Sequence, residues 1–277
     1  ANRDRVVLGR GAAWTPARPF FFAIGAGSDA NALGFLELSP DRDGIFRRVP
    51  AALATDAGDF ASLTGAMAAK AGLPALDGPV LLAPQRPLSA IPSVSLVDVL
   101  RCAEHDPAAL KAVFGGRLVV VGSVLPDEDR KRTLDRFFPA PPGQGQSGSA
   151  CHLDRQPIPR QGGTLPGVLL HAEALGEHAL GRHVAPMEAS LTTALNAAVA
   201  GLGAVAGLFL APVVALLAAA GAVLLLFATS TALLGAEIWL PSALPIATGV
   251  VALVLAYVAR YVIAERRRRQ IQDAFGH

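Results

Sequence analysis

Residues 189–259 read ASLTTALNAAVAGLGAVAGLFLAPVVALLAAAGAVLLLFATSTALLGAEIWLPSALPIATGVVALVLAYVA. These 71 residues carry one formal charge, Glu237. A bilayer core of about 30 Å takes roughly 20 apolar helical residues to cross. Ala189–Ala236 supplies 48 residues without a charge, enough for two spans and a turn. Pro212, in Phe209-Leu210-Ala211-Pro212, favours a turn or the first position of a helix. Glu237-Ile238-Trp239-Leu240-Pro241 separates the second span from the third, and Trp239 suits a membrane interface. The stretch predicts an all-α region of three transmembrane helices over 189–263, at about 189–210, 212–234 and 243–263. Gly201, Gly203 and Gly207 would let its helices approach closely.

Orientation follows from the flanks. Arg260, Arg266, Arg267, Arg268 and Arg269 lie at or beyond the end of the third span, whereas Arg182 alone lies near the start of the first. The excess of Lys and Arg on cytoplasmic flanks puts the C-terminus in the cytoplasm. An odd number of spans then puts residues 1–188 outside. The expected location is a multi-pass protein of the inner membrane, with a periplasmic or extracellular N-terminal domain. Residues 264–277 read as the start of a cytoplasmic coupling helix that continues the third span. Ile271 and Phe275, four apart, mark one face for pairing, and the arginines also suit a snorkelling anchor in the bilayer. The chain opens Ala1-Asn2-Arg3-Asp4, without Met, and stops just after a charged helix has begun, so a fragment at both ends is expected.

Composition agrees with a two-part chain. Its 277 residues are 52% hydrophobic with mean hydropathy +0.43, high for a soluble protein and low for an all-membrane one. Residues 1–188 carry 19 Lys and Arg against 19 Asp and Glu; residues 189–277 carry 5 against 3. A neutral N-terminal domain gives no electrostatic case for nucleic acid.

Residues 1–188 read as an α/β domain, a mixed sheet with helices packed on it. Phe20–Ile24 and Asn31–Leu38 are expected strands. Gly25–Ala30 between them matches a degenerate GxGxxA, but a dinucleotide site needs a helix next, so a turn is the better reading. Ser39–Gly44 predicts a hairpin turn into a strand over Ile45–Val49; a calcium loop through Asp41 and Asp43 would need more oxygen ligands. Phe60–Gly72 predicts a helix that Asp59 can cap. Pro79–Leu82 is a further strand. Short helices are expected from Ser95 and over Pro107–Phe114, the second capped by Asp106. Arg117–Ser123 (RLVVVGS) is apolar on both faces and predicts a central, parallel strand. Pro166–Leu180 predicts the last helix before the spans.

The best candidate for ligand binding is the charged loop after that central strand, because ligands of open α/β sheets gather at the C-terminal ends of strands. It contributes Asp127, Asp129 and Arg130. The rival reading is a solvated loop whose charges pair with one another. His171, inside the apolar stretch of the last helix, is either a further ligand contact or a hydrogen-bonded core residue. No catalytic residue and no metal site is predicted. The two cysteines, Cys102 and Cys151, admit three readings. Cys102-x-x-His105 with Cys151-His152 could bind zinc, but the adjacent second pair strains a tetrahedral site. Two free thiols are the second. A disulfide is simplest if the domain is extracytoplasmic.

One family shares this order of residues. Ser39-Pro40-Asp41-x-Asp43-Gly44-x-x-Arg47-Arg48-Val49-Pro50 precedes Ile91-Pro92 and Ser95-Leu96-x-Asp98-Val99-Leu100. Gly116–Ser123, Asp129-Arg130-x-x-Thr133, Pro166-Gly167-Val168-x-x-His171-Ala172 and three apolar segments follow. The chain resembles the later part of a CHASE2 domain, an extracytoplasmic sensor module of bacterial receptors. The tail from Arg266 to His277 resembles the lead-in to a class III adenylate or guanylate cyclase domain. The resemblance implies a homodimer in the lipid bilayer that responds to an extracytoplasmic ligand and makes cyclic AMP from ATP with Mg or Mn. The metal-binding and base-recognition residues of such a cyclase have no counterpart at any position here, so no cofactor is expected in this stretch. CHASE2 sensors also precede histidine kinases and Ser/Thr kinases, which is the alternative output. A transporter is the other rival, against which the spans lack charge at mid-membrane.

Overall fold

The computed structural model describes residues 3–11, 15–24, 32–55, 58–82, 88, 91–125, 129–134, 153, 163–182 and 184–275. The chain divides into two units, Ala1–His183 and Val184–His277.

The first unit is a mixed α/β region of small sheets and helices. In chain order its elements are β1 (Leu8–Arg10), α1 (Arg18–Ala23), β2 (Leu33–Phe35), β3 (Arg48–Val49), β4 (Ala52–Thr55), β5 (Gly58–Ala61), α2 (Leu63–Lys70) and β6 (Val80–Leu81). These are followed by α3 (Leu96–His105), α4 (Pro107–Phe114), β7 (Arg130–Arg132), β8 (Thr164–Pro166) and α5 (Gly167–Ala179). Among the described residues every sheet has two strands. β1 and β2 run parallel, while β3–β6, β4–β5 and β7–β8 are antiparallel.

α5 organises the core. Leu169, Leu170 and Ala174 on it are buried together with Leu165 of β8, Val49 of β3, Val80 of β6, Leu82 and Leu88. Leu170 has no exposed surface, and burying one such side chain stabilises the fold by about 1.5–3 kcal/mol. α5 is buried around much of its circumference, as a helix covered by sheet on one side and by α2 on the other must be.

Several sequence readings are corrected. Phe20–Ile24 is not a strand. Pro19 near the start presets the backbone for a helical first turn, and α1 forms with Phe20 and Phe22 exposed. Gly25–Ala30 lies outside the described residues. Ser39–Gly44 contains a turn, with Gly44 at φ +77° and its N–H donating to the carbonyl of Asp41. The strands on either side pair elsewhere, however, β2 with β1 and β3 with β6, so no hairpin ladder forms there. α2 starts later than its Ala-rich sequence suggests. Phe60 belongs to the β4–β5 hairpin, and Ser62, not Asp59, caps the helix, its Oγ accepting from the N–H of Gly65 at 3.1 Å.

The largest difference is Arg117–Ser123. It makes no ladder, and Leu118, Val119 and Val121 are exposed. An extended apolar run becomes a strand only when another strand takes up its backbone groups. No described strand does so.

The second unit holds β9 (Ala185–Pro186), α6 (Ala189–Phe209), α7 (Pro212–Gly235), β10 (Ile238–Trp239) and α8 (Ala243–Phe275). Three of these helices, α6, α7 and α8, are long and apolar enough to cross a membrane. α6 and α8 run parallel in close contact. A Cβ on Gly203 would overlap the carbonyl oxygen of Gly249, and one on Gly207 would come within 2.6 Å of the Leu253 oxygen. Gly201 faces open space, so of the three glycines only Gly203 and Gly207 belong to the seam. α8 runs unbroken from the third apolar stretch into the arginine run. Its 33 residues span about 50 Å, more than the bilayer core requires.

Candidate sensor site

The sequence singled out the charged loop after Arg117–Ser123, and its described part forms a corner with β8 and the start of α5. β7 and β8 pair Arg130 with Pro166, Lys131 with Leu165 and Arg132 with Thr164. α5 starts directly after β8, so this ladder fixes where the helix begins. The N–H of Gly167 donates to the carbonyl of Asp129 at 2.9 Å. The Asp129 carboxylate occupies the space a Cβ on Gly167 would need. A carboxylate beside a helix N-terminus is favoured by the partial positive charge of its free N–H groups. Asp129 has φ +27°, a backbone geometry that costs a non-glycine residue energy.

Side chains alternate along β7. Lys131 forms an ion pair with Asp129, and its ammonium lies 5.1 Å from the centre of the Phe46 ring. Arg130 turns instead to β8, donating from Nε to Thr164 Oγ1 at 3.1 Å and from Nη2 to the Thr164 carbonyl at 2.9 Å. Thr133, just beyond, is buried. Asp127 lies outside the described residues.

His171 sits one turn into α5 and is 2% exposed. Its Nδ1 is 3.2 Å from Thr64 Oγ1 on α2, and its Nε2 is 3.4 Å from the carbonyl oxygen of Leu36. Burial pushes its pKa below the ordinary value. The Leu36 carbonyl and the Asp129 charge act in the opposite direction, and Lys131 adds to the lowering. Asp129, Lys131 and His171 therefore share one electrostatic environment at the start of α5. The contacts of His171 are those of a hydrogen-bonded core residue tying α5 to α2 and to the segment after β2.

A second charged corner was not singled out for binding. Arg47 donates from Nη1 to Asp41 Oδ2 at 3.0 Å and from Nη2 to Asp43 Oδ2 at 2.6 Å. The Ile45 N–H donates to Asp43 Oδ1 at 3.1 Å. The Arg47 hydrogen bond, then that N–H, lower the Asp43 pKa from 3.8 to about 2. The two aspartates that a calcium loop would have used are thus occupied by a guanidinium of the same chain, the fork-to-carboxylate match Arg favours.

Among the described residues no group of three or more His, Cys, Asp or Glu side chains could hold a metal ion. Sequence reading missed Lys131, Phe46, Thr64 and Gly167. Gly167 carried a local signal, a glycine placed between a strand end and a helix start, and Lys131 stood in the charged loop itself, beside Arg130. Phe46 and Thr64 are brought in by long-range packing. The Cys102–Cys151 pairing lies outside the described residues because Cys151 does. Cys102 is 1% exposed on α3, and no free cysteine occurs among the described residues.

Comparison with known proteins gives one family. The CHASE2 domain model matches residues 2–214, which takes in the first unit from its second residue and all of α6. No curated protein and no solved structure matches the chain.

Proposed function

The chain belongs to the CHASE2 family, and on that premise we propose that it is the sensor and membrane portion of a receptor whose output domain is a class III adenylate or guanylate cyclase. A CHASE2 sensor joined to three membrane-crossing helices marks a membrane receptor. The observation that carries the rest is the continuity of α8 from Ala243 to Phe275. One helix can pass a shift or rotation from the membrane to a following domain, which a flexible linker cannot.

In this reading residues 1–188 lie outside the cytoplasm and detect an extracytoplasmic ligand. Asp129 and Arg130, with Asp127, are the residues offered for that contact, and His171, buried behind them, holds α5 to α2. Residues 189–263 anchor the protein in the inner membrane, and residues 264–277 begin the coupling helix in the cytoplasm. The receptor works as a homodimer, because class III cyclases build each active site between two catalytic domains. ATP and Mg or Mn belong to that catalytic domain. The basic run Arg266–Arg269 supports the cytoplasmic placement of the C-terminus. Cys102 and Cys151 form a disulfide, consistent with an oxidising compartment; two thiols titrating on unreduced protein would exclude it.

The second reading keeps the sensor and replaces the cyclase with a histidine or Ser/Thr kinase. The Ala274-Phe275-Gly276 tail favours the cyclase. The deciding experiment assays membranes containing the full-length receptor with ATP. Formation of cyclic AMP supports the cyclase, and phosphotransfer to protein without cyclic nucleotide supports the kinase.

A further inference from the structure

The second unit contains two strand–helix pairs that run side by side. β9 leads into α6, and β10 leads into α8. β9 and β10 pair in parallel, Ala185 opposite Ile238 and Pro186 opposite Trp239. The N–H of Ala185 donates to the carbonyl of Glu237, and the N–H of Met187 to the carbonyl of Trp239, both at 2.9 Å. Pro186 fits between these two donors, because alternate residues of a strand point their N–H groups to opposite edges. The missing donor is the one that would have faced away from β10.

Below the ladder, α6 packs along α8 far more extensively than either packs on α7. Val199 meets Gly249, Gly203 meets Gly249, and Gly207 meets Leu253, Ala256 and Tyr257. At the far end Arg260 of α8 donates from Nη1 to the carbonyl of Leu210 at 2.7 Å. This satisfies a carbonyl at the end of α6 that has no partner within its own helix. The two rails are therefore joined at the top by a ladder, along their length by a glycine seam, and at the bottom by an arginine. α7 has only Ala215 buried.

We infer that Ala185–Met187, the first segment of this unit, is coupled directly to α8 through the β9–β10 ladder, so that α6 and α8 move as one body and α7 serves as the return connector. The inference rests on the receptor reading above, in which α8 is the output helix. It gives that reading a route: displacement of β9 acts on β10 four residues ahead of α8 without passing down α6, across the turn and back up α7.

The test uses the full-length protein in lipid nanodiscs and amide hydrogen exchange. Ala185→Cys with Ile238→Cys places a cysteine on each member of one ladder pair. Oxidised and reduced samples are compared, with the parent protein treated identically. Exchange at Ile246–Gly249, the first hydrogen-bonded turn of α8, is expected to slow on cross-linking, while Val213–Leu217 of α7 stays unchanged. Met187→Pro removes the donor to Trp239 and is expected to speed exchange at Ile246–Gly249 by about tenfold, the effect of one lost hydrogen bond. Pro186→Ala is expected to leave it unchanged.

A cross-link that fails to form, or that leaves Ile246–Gly249 unaltered or slows α7 to the same degree, overturns the inference. Failure of the receptor reading looks different: the exchange coupling persists while no output activity responds to the first domain.

Discussion

Arg260 reaches across fifty residues of sequence to the carbonyl of Leu210, donating from Nη1 at 2.7 Å. The contact closes the C-terminal end of α6 from the side of α8. It also fixes a level along α8: the 15 residues Tyr261–Phe275 continue for about 22 Å beyond it. A cation at a helix C-terminus is worth about 0.3–1 kcal/mol when exposed. Arg260→Ala should lower stability by that order, and Arg260→Lys should retain most of the effect. Thermal unfolding in detergent, followed by loss of helical signal, measures both.

The seam between α6 and α8 should discriminate between neighbouring glycines. Gly203→Ala forces a Cβ into the backbone of Gly249, which cannot retreat as a flexible side chain could. It should cost about 1–3 kcal/mol, as overpacking typically does. Gly201→Ala meets nothing within 4 Å and should be neutral or stabilising by up to about 1 kcal/mol, because alanine favours helix over glycine. The same unfolding measurement reads both. Equal effects of the two substitutions would contradict the seam.

At the start of α5, Gly167→Ala should displace the Asp129 carboxylate and cost about 1–3 kcal/mol. Asp129→Gly relieves the positive φ of that residue and empties the space. The double substitution should therefore cost less than Gly167→Ala alone. A double-mutant cycle on the full chain measures the coupling, and strict additivity would count against the contact.

The buried imidazole gives the first unit an acid dependence of defined sign. The folded pKa of His171 lies below its ordinary value of 6.5, so below about pH 6.5 the unfolded chain binds a proton that the folded one does not. Stability should fall as pH drops through that value and level off below the folded pKa. His171→Asn should flatten this slope. The Asp43 carboxylate acts lower down. Its pKa falls from 3.8 unfolded to about 2 folded, so its contribution is complete above about pH 4 and is lost as pH falls through 2. Asp43→Asn should remove that step. Melting temperatures from pH 7.5 downward separate the two.

Much of the second unit was legible because membrane helices are specified locally: apolar length, proline at the turn, charge at the flanks. Val213 through Leu234 needs no distant partner to read as a span. α5 was legible for a similar reason, since Leu169, Leu170 and Ala174 mark a buried face. The sheets were not. Val119-Val120-Val121 has the composition of a central strand, yet strand formation depends on a neighbour elsewhere in the chain. Phe20-Phe21-Phe22 misled in the same way, its aromatic run outweighed by the helix-starting Pro19. At the candidate site Asp129 and Arg130 were visible as charges in a loop. That Lys131 and Gly167 would complete the corner, while Arg130 turned away to Thr164, follows from the β7–β8 register, which sequence spacing does not encode.

In the receptor reading a sensor lies on one side of the membrane and α8 emerges on the other. Topology reporters inserted after Glu188 and after His277 in the full-length protein test this placement. Extracytoplasmic activity is expected at Glu188 and cytoplasmic activity at His277. Both reporters on the same side, or extracytoplasmic activity at His277, would contradict it.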